Sequence, residues 1–291
     1  MTEAERKQII ALVQREVVPA IGCTEPIAVA LCVAKATEAL GAKPEKIDVL
    51  LSANILKNAM GVGIPGTGMI GLPIAIALGA LIGKSEYQLE VLKDSNPAAV
   101  EEGKRFIGEK RIDISLKKNI TEKLYIEVCC KSGGNKATAI IAGGHTTFIY
   151  IARNGDVLLN KQSAGCGEEE AQVAGLTLRK VYDFAMNAPL DEIRFILETA
   201  RLNKAAAERS FDGNYGHGLG RMLRGNYEHK ILGDSVFSHI LSYTSGACDA
   251  RMAGAMIPVM SNSGSGNQGI SATLPVLVYA EENGKSEEEL I

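Results

Sequence analysis

The chain has 291 residues, 46% of them hydrophobic and 22% charged, with 31 basic against 34 acidic side chains and a formal charge of -3. This composition fits one large domain or about two ordinary ones and excludes intrinsic disorder. The absence of a cationic excess or a basic run leaves nucleic acid without an electrostatic footprint.

The opening residues are charged from the third position and lack the basic start, apolar centre and small-residue cleavage site of a secretory signal. A cytoplasmic location is expected, with the six cysteines as reduced thiols. Thr2 followed by Glu5 makes a capping box, and Ile9, Ile10, Leu12, Val13 and Val17 recur at helical spacing, predicting a first amphipathic helix. A second helix is predicted with Thr24 as N-cap, Pro26 in its first turn, an apolar run over 27–40 and Gly41 at its C-cap, which places Cys23 at a helix N-terminus. Residues 46–51 predict a short strand.

From 58 through 83 the chain carries no charge, but its strongly apolar part covers only 69–82 and Gly and Pro interrupt the rest. That is too short for a membrane span, and a buried helix entered through Pro73 is predicted instead. Residues 252–280 repeat the charge-free pattern. Between these stretches, 112–116, 123–130, 137–141, 147–151 and 156–160 predict an antiparallel meander, and helices return over 176–186, 190–209, 231–243 and 246–256. The fold class expected is α+β: a discontinuous, mainly helical catalytic domain over 1–110 and 165–291, with a small antiparallel sheet over 111–164 inserted in it. Ser286 with Glu289 forms another capping box, and the chain stops at Ile291 before a second turn. Since an isolated turn does not sustain itself, the expectation is a C-terminally truncated fragment of a longer protein.

Three stretches match G-x-G-x-x-G: Gly61-Gly63-Gly66, Gly66-Gly68-Gly71 and Gly264-Gly266-Gly269. Pro65 interrupts the first, and none is followed by the strand and acidic residue of a dinucleotide site. Glycine-rich turns opening buried helices can still offer backbone amides to a carboxylate or phosphate. In the second of the charge-free stretches, Ser261, Asn262, Ser263, Ser265, Asn267 and Gln268 gather six polar side chains that need partners. Either a small zwitterionic or carboxylate ligand supplies them, or the loop bonds to itself.

Asn54, Lys57 and Asn58 would share one face of a helical turn and, with Thr67, could bind an acidic group; a solvated helix-end lysine is the alternative. Cys23 follows Gly22 at a helix start that favours a thiolate. Cys129 and Cys130 point to opposite faces of a strand, and no C-x-x-C occurs, so any metal must gather ligands from distant parts of the chain. His145, preceded by Gly143 and Gly144 in a turn, is a candidate general base, whereas His217, His229 and His239 lack a convincing partner.

Gly22-Cys23-Thr24-Glu25-Pro26, residues 54–68, the His145-Thr146 turn and residues 261–269 together resemble the serine dehydratase-like alpha-chain family, and within it the L-cysteine desulfidases and the proteins grouped with them. The resemblance spans essentially the whole chain. It implies an oxygen-sensitive 4Fe-4S cluster held by three cysteines, without pyridoxal phosphate, with Cys23 matching the first ligand and the other two lying beyond residue 291.

The implied reaction is α,β-elimination on a small amino acid, L-cysteine giving pyruvate, ammonia and sulfide. The open iron would act as Lewis acid, His145 or Lys57 as base, and residues 261–268 would hold the substrate carboxylate. An L-serine dehydratase of the same family is the nearest alternative. A pyridoxal-phosphate β-eliminase would need Lys57 as its Schiff-base lysine, and the chain order of Lys57 and the asparagine loop tells against it. A non-catalytic amino-acid-binding homologue is the third. The partner expected is a small amino acid, with no nucleic acid and no membrane; a homo-oligomer is compatible. The 291-residue chain alone is expected to lack a stable cluster and desulfidase activity.

Overall fold

The computed structural model describes residues 1–120, 122–161, 175–224 and 232–291. They fall into two compact units: a sheet unit of Ile21–Cys166 with Met252–Ile257, and a helical unit of Met1–Ala20, Gly167–Arg251 and Pro258–Ile291. Cys166, His229 and the predicted helix start at 231 lie outside the described residues.

The sheet unit is organised around α2 (Thr24–Leu40), which packs on one side against α4 (Leu72–Leu81) and on the other against strands of a six-stranded sheet. Covered on two sides, α2 has no polar stripe, and Ile27, Leu31, Cys32 and Val33 are all inaccessible. Gly41 ends it in the left-handed conformation the sequence predicts. Pro73 enters α4 as expected.

The sheet has the order β3-β2-β4-β5-β6-β7, formed by β2 (Lys46–Leu51), β3 (Ile112–Leu116), β4 (Tyr125–Ser132), β5 (Asn135–Ala142), β6 (Phe148–Arg153) and β7 (Asp156–Asn160). Only β4 to β7 form the antiparallel meander predicted over 111–164. The strand at 46–51 inserts between β3 and β4, parallel to the first and antiparallel to the second. A parallel pair needs a long crossover, and here it contains α3 (Ala53–Ala59), α4 and α5 (Pro97–Gly108). The sequence reading omits α5, although Asn96 caps it and Pro97 occupies its first turn.

The helical unit begins with α1 (Glu3–Glu16), whose Thr2–Glu5 capping box forms as predicted. Arg6 holds Glu192 of α7 (Leu190–Ile193) through two bonds of 2.6 and 2.9 Å. The expected helix over 190–209 is α7, a 3-10 turn and then α8 (Leu197–Asp212). A two-stranded sheet of β1 (Pro19–Ile21) and β8 (Pro258–Met260) was not foreseen. The fully buried Asn203 on α8 accepts from the Met260 amide at 2.8 Å and donates to the Gly269 carbonyl at 3.3 Å.

The elements α6 (Leu178–Asn187), α9 (Leu219–Met222), α10 (Val236–Met252), α11 (Gly266–Glu282) and α12 (Glu287–Leu290) complete the unit's described helices. The helices expected over 231–243 and 246–256 are joined in α10, which runs without a break through 244–245 and ends at Met252. Gly246 is a packing residue within it. A Cβ there would lie 2.4 Å from the Ser210 hydroxyl of α8. Among the described residues no helix is long and apolar enough to cross a membrane.

Candidate functional site

In the sheet unit the first turn of α2 is held by a tight approach. Gly22 has φ +79°, and a Cβ on it would lie 2.4 Å from Pro65 Cγ, so glycine is required on both counts. Cys23, not Thr24, is the N-cap, and it makes no capping bond through its side chain. Its thiol donates instead to Glu25 Oε2 at 3.0 Å. The Thr24 hydroxyl donates to the same oxygen at 3.2 Å, and Asn58 Nδ2 reaches Oε1 at 3.4 Å.

Burial alone would raise the pKa of Glu25. The Cys23 thiol, the residue's own amide, the nearby His145 when protonated and the Thr24 hydroxyl outweigh burial, and the carboxyl is held below its ordinary value. Its place in the first turn of α2 adds the favourable end of the helix dipole. Cys23 therefore meets a carboxylate as a thiol donor, where the helix N-terminus by itself favours a thiolate. His145 lies half-buried in the turn between β5 and β6.

The other candidates of this unit stand apart from that cluster. Asn54 and Lys57 are exposed on α3, so Asn58 alone of the three reaches Glu25. The Thr67 hydroxyl braces its own turn, donating to the Ile64 carbonyl at 2.7 Å and accepting from the Met69 amide at 2.9 Å. In the first glycine turn the amides of Gly63, Gly66 and Gly71 bond to carbonyls of Met252, Gly254 and Val62.

In the helical unit, residues 261–269 mostly bond to their own surroundings. The Ser261 hydroxyl donates to the Val18 carbonyl at 2.7 Å, and Asn262 and Ser265 exchange backbone bonds of 3.0 and 2.9 Å. Ser263 donates to Asn262 Oδ1 at 3.3 Å, and the Ser265 hydroxyl caps α11 by accepting from the Gln268 amide. Asn267 Oδ1 accepts from Arg251 Nη1 at 2.8 Å, while Gln268 is exposed. A cavity of about 200 Å³ adjoins the loop, lined by Met260, Ser261, Asn262, Thr273 and Leu277 among others. The unit's His239 does have partners, in Asp234 and Glu282.

Among the described residues the donor set does not by itself fit an iron–sulfur cluster. Cys32 and Cys130 lie buried between α2 and the sheet. Burial, with Cys130 beside it, pushes the Cys32 thiol up, and burial takes Cys130 up to about 12. Burial likewise raises Cys248 in the helical unit. Among the described residues no group of three His, Cys, Asp or Glu could hold a metal ion.

Sequence reasoning quoted Glu25 only as part of a motif and passed over Arg251. The signal for the first was an acidic residue in a helix turn beginning at a cysteine. For Arg251 it is the last charge before a charge-free run.

An α+β protein with these features matches a known class. The family model for the serine dehydratase alpha chain covers residues 86–291, and the chain belongs to that family. A UPF0597 protein of Bacteroides fragilis is 83% identical over 291 residues, covering 100% of this chain and 68% of the relative. A UPF0597 protein of Bacteroides thetaiotaomicron is 78% identical over the same span, again 100% of this chain and 68% of the relative. One from Porphyromonas gingivalis is 51% identical, covering 100% of this chain and 69% of the relative. No solved structure matches the chain. The family match takes in His145, Arg251 and residues 261–269, while Cys23, Glu25 and Asn58 precede it and are spanned by the whole-length relatives.

Proposed function

We propose that the protein is a lyase that performs α,β-elimination on a small α-amino acid, with L-cysteine the preferred substrate. The observation that carries this reading is the convergence of the Cys23 thiol and the Asn58 amide on the Glu25 carboxylate, with His145 near enough to be coupled to it electrostatically, in a chain of the serine dehydratase alpha chain family. In the reaction a base takes the Cα proton, the Cβ–S bond breaks and sulfur leaves with the electron pair, becoming hydrogen sulfide on protonation. The aminoacrylate left behind tautomerises to the imine and takes up water. The sum is L-cysteine and water to pyruvate, ammonium and hydrogen sulfide.

We assign the proton transfer to His145 and not to the exposed Lys57. An ionised Glu25 nearby favours the imidazolium that forms, the arrangement of a base with a carboxylate behind it. The carboxylate of the substrate is assigned to residues 261–268 of the helical unit, Asn267 and Gln268 foremost, since the serine hydroxyls there are committed to partners within the unit. The iron–sulfur cluster implied by the resemblance would take Cys23 as one ligand and supply a Lewis acid. The described residues bring it no further cysteine.

The test is an anaerobic assay of the protein, measuring sulfide and pyruvate from L-cysteine and pyruvate from L-serine. Equimolar sulfide and pyruvate are expected, with His145→Gln slowed by about 10²- to 10⁴-fold, the usual worth of a general base. Absence of both products from both substrates would overturn the reading. Pyruvate from L-serine alone would move it to a serine dehydratase.

A further inference from the structure

Where α10 ends and α11 begins, the helical unit buries a charge. Arg251, in the last turn of α10, is only 4% exposed, a degree of burial arginine seldom reaches. The carbonyl end of α10 favours a cation there. Its guanidinium lies across the first residue of α11: a Cβ on Gly266 would stand 2.2 Å from Nε and 2.7 Å from Cζ. Glycine at 266 is thus what lets the guanidinium occupy that place, although alanine is the better helix former.

From there Arg251 Nη1 donates to Asn267 Oδ1 at 2.8 Å. A primary amide has one acceptor oxygen and two N–H donors, and a guanidinium has donors only. The bond therefore settles which way the amide faces. The Asn267 oxygen is turned to Arg251 and its NH2 group is directed away, at the amino end of a 17-residue helix. Without the guanidinium the two orientations of the amide would be nearly equivalent in shape, and one of them would present an oxygen to an approaching anion.

We propose that Arg251 is a positioning residue for carboxylate binding, locking the Asn267 amide so that its N–H donors face the carboxylate of the amino-acid substrate. This rests on the functional reading above, in which residues 261–268 hold that carboxylate. It adds a residue outside the loop and predicts a specific selectivity, for amino acids over amines that lack the carboxyl group.

The experiment compares binding of L-cysteine with that of cysteamine, the same aminothiol without the carboxylate, by titration, and measures KM and kcat for L-cysteine. The wild type should prefer L-cysteine. Arg251→Met keeps the stem and loses the donors, and it should reduce the L-cysteine preference by about tenfold to a hundredfold, the usual worth of a hydrogen bond to a charged group. The loss should appear in KM more than in kcat and leave cysteamine affinity unchanged, which also reports an intact fold. Arg251→Lys should recover part of the preference. Gly266→Ala, which keeps the charge but pushes the guanidinium off the helix start, should resemble Arg251→Met. Variants that keep the full preference would overturn the inference while leaving the functional reading in place. A wild type that neither binds nor turns over L-cysteine would overturn both.

Discussion

In the sheet unit Cys23, Thr24, Asn58 and His145, drawn from three separate stretches of chain, act on one carboxylate, that of Glu25. In the helical unit residues 261–268 carry six polar side chains, yet the serines bond to a carbonyl, an amide and an asparagine of the same unit. The polar-rich stretch is thus largely a self-braced turn, and the sparse one is a cluster. What separates them is where the partners come from: bonds made within a loop fix its shape, and side chains sent from several elements to one group create an environment at that group. From residues 261–268 two side chains do reach partners distant in sequence, Ser261 at Val18 and Asn267 at Arg251 sixteen positions away.

The strongest way to break the comparison is at Gly22, because the placement of Cys23 depends on it. Gly22→Ala must adopt φ +79° and press a methyl against Pro65, and the two costs together should lower the unfolding free energy by about 3 kcal/mol, measured by urea titration. Gly68→Ala is the control, since its φ is +63° but nothing lies within 4 Å of the added carbon; about 1 kcal/mol is expected. Equal losses at the two positions would mean that the Pro65 contact contributes nothing.

A smaller effect tests the other side. The buried Ser261 hydroxyl is bonded to the Val18 carbonyl at 2.7 Å, so Ser261→Ala should cost about 1 kcal/mol of stability and leave KM for L-cysteine within about twofold. A large rise in KM with unchanged stability would show that this serine serves a ligand and that the loop is less self-contained than its bonds indicate. Lys57→Ala should change stability by less than about 0.5 kcal/mol, as surface substitutions do. Loss of sulfide production in that variant would return the role of base to Lys57.

Local signals made much of this legible. The capping boxes at Thr2 and Ser286, the C-cap at Gly41 and the helix entered through Pro73 all depend on residues a few positions apart. Partner choice across long separations was not legible. The alternation in residues 46–51 announces a strand, but nothing in it says that Ile112–Leu116 will lie parallel alongside, because both neighbours present similar alternating surfaces. The joining of the helices expected over 231–243 and 246–256 is hidden for a related reason: that Gly246 is needed where another helix packs against it is not written in its neighbours along the chain. In the candidate site, turn chemistry singles out Cys23 and His145. Glu25 was missed because its importance lies in what reaches it from α3 and from the turn after β5, which no spacing along the chain encodes.

The smallest effect concerns a charge cluster in the helical unit that belongs to neither site. His239 on α10 bonds through Nδ1 to Glu282 and through Nε2 to Asp234, each at 2.7 Å. Burial alone would lower its pKa, but the two hydrogen-bonded carboxylates outweigh it, and the pKa is raised above its ordinary value of 6.5. A raised folded-state pKa means that the protonated form binds more tightly in the native protein. The stabilisation is therefore complete below pH of about 6.5 and is lost as pH rises through the folded pKa. His239→Gln should remove that slope from the unfolding free energy, with a difference from wild type of only a few tenths of a kcal/mol at low pH, because the cluster is solvent-screened. Parallel stability curves for the two proteins from pH of about 6 upward would show that the three groups do not act as one unit.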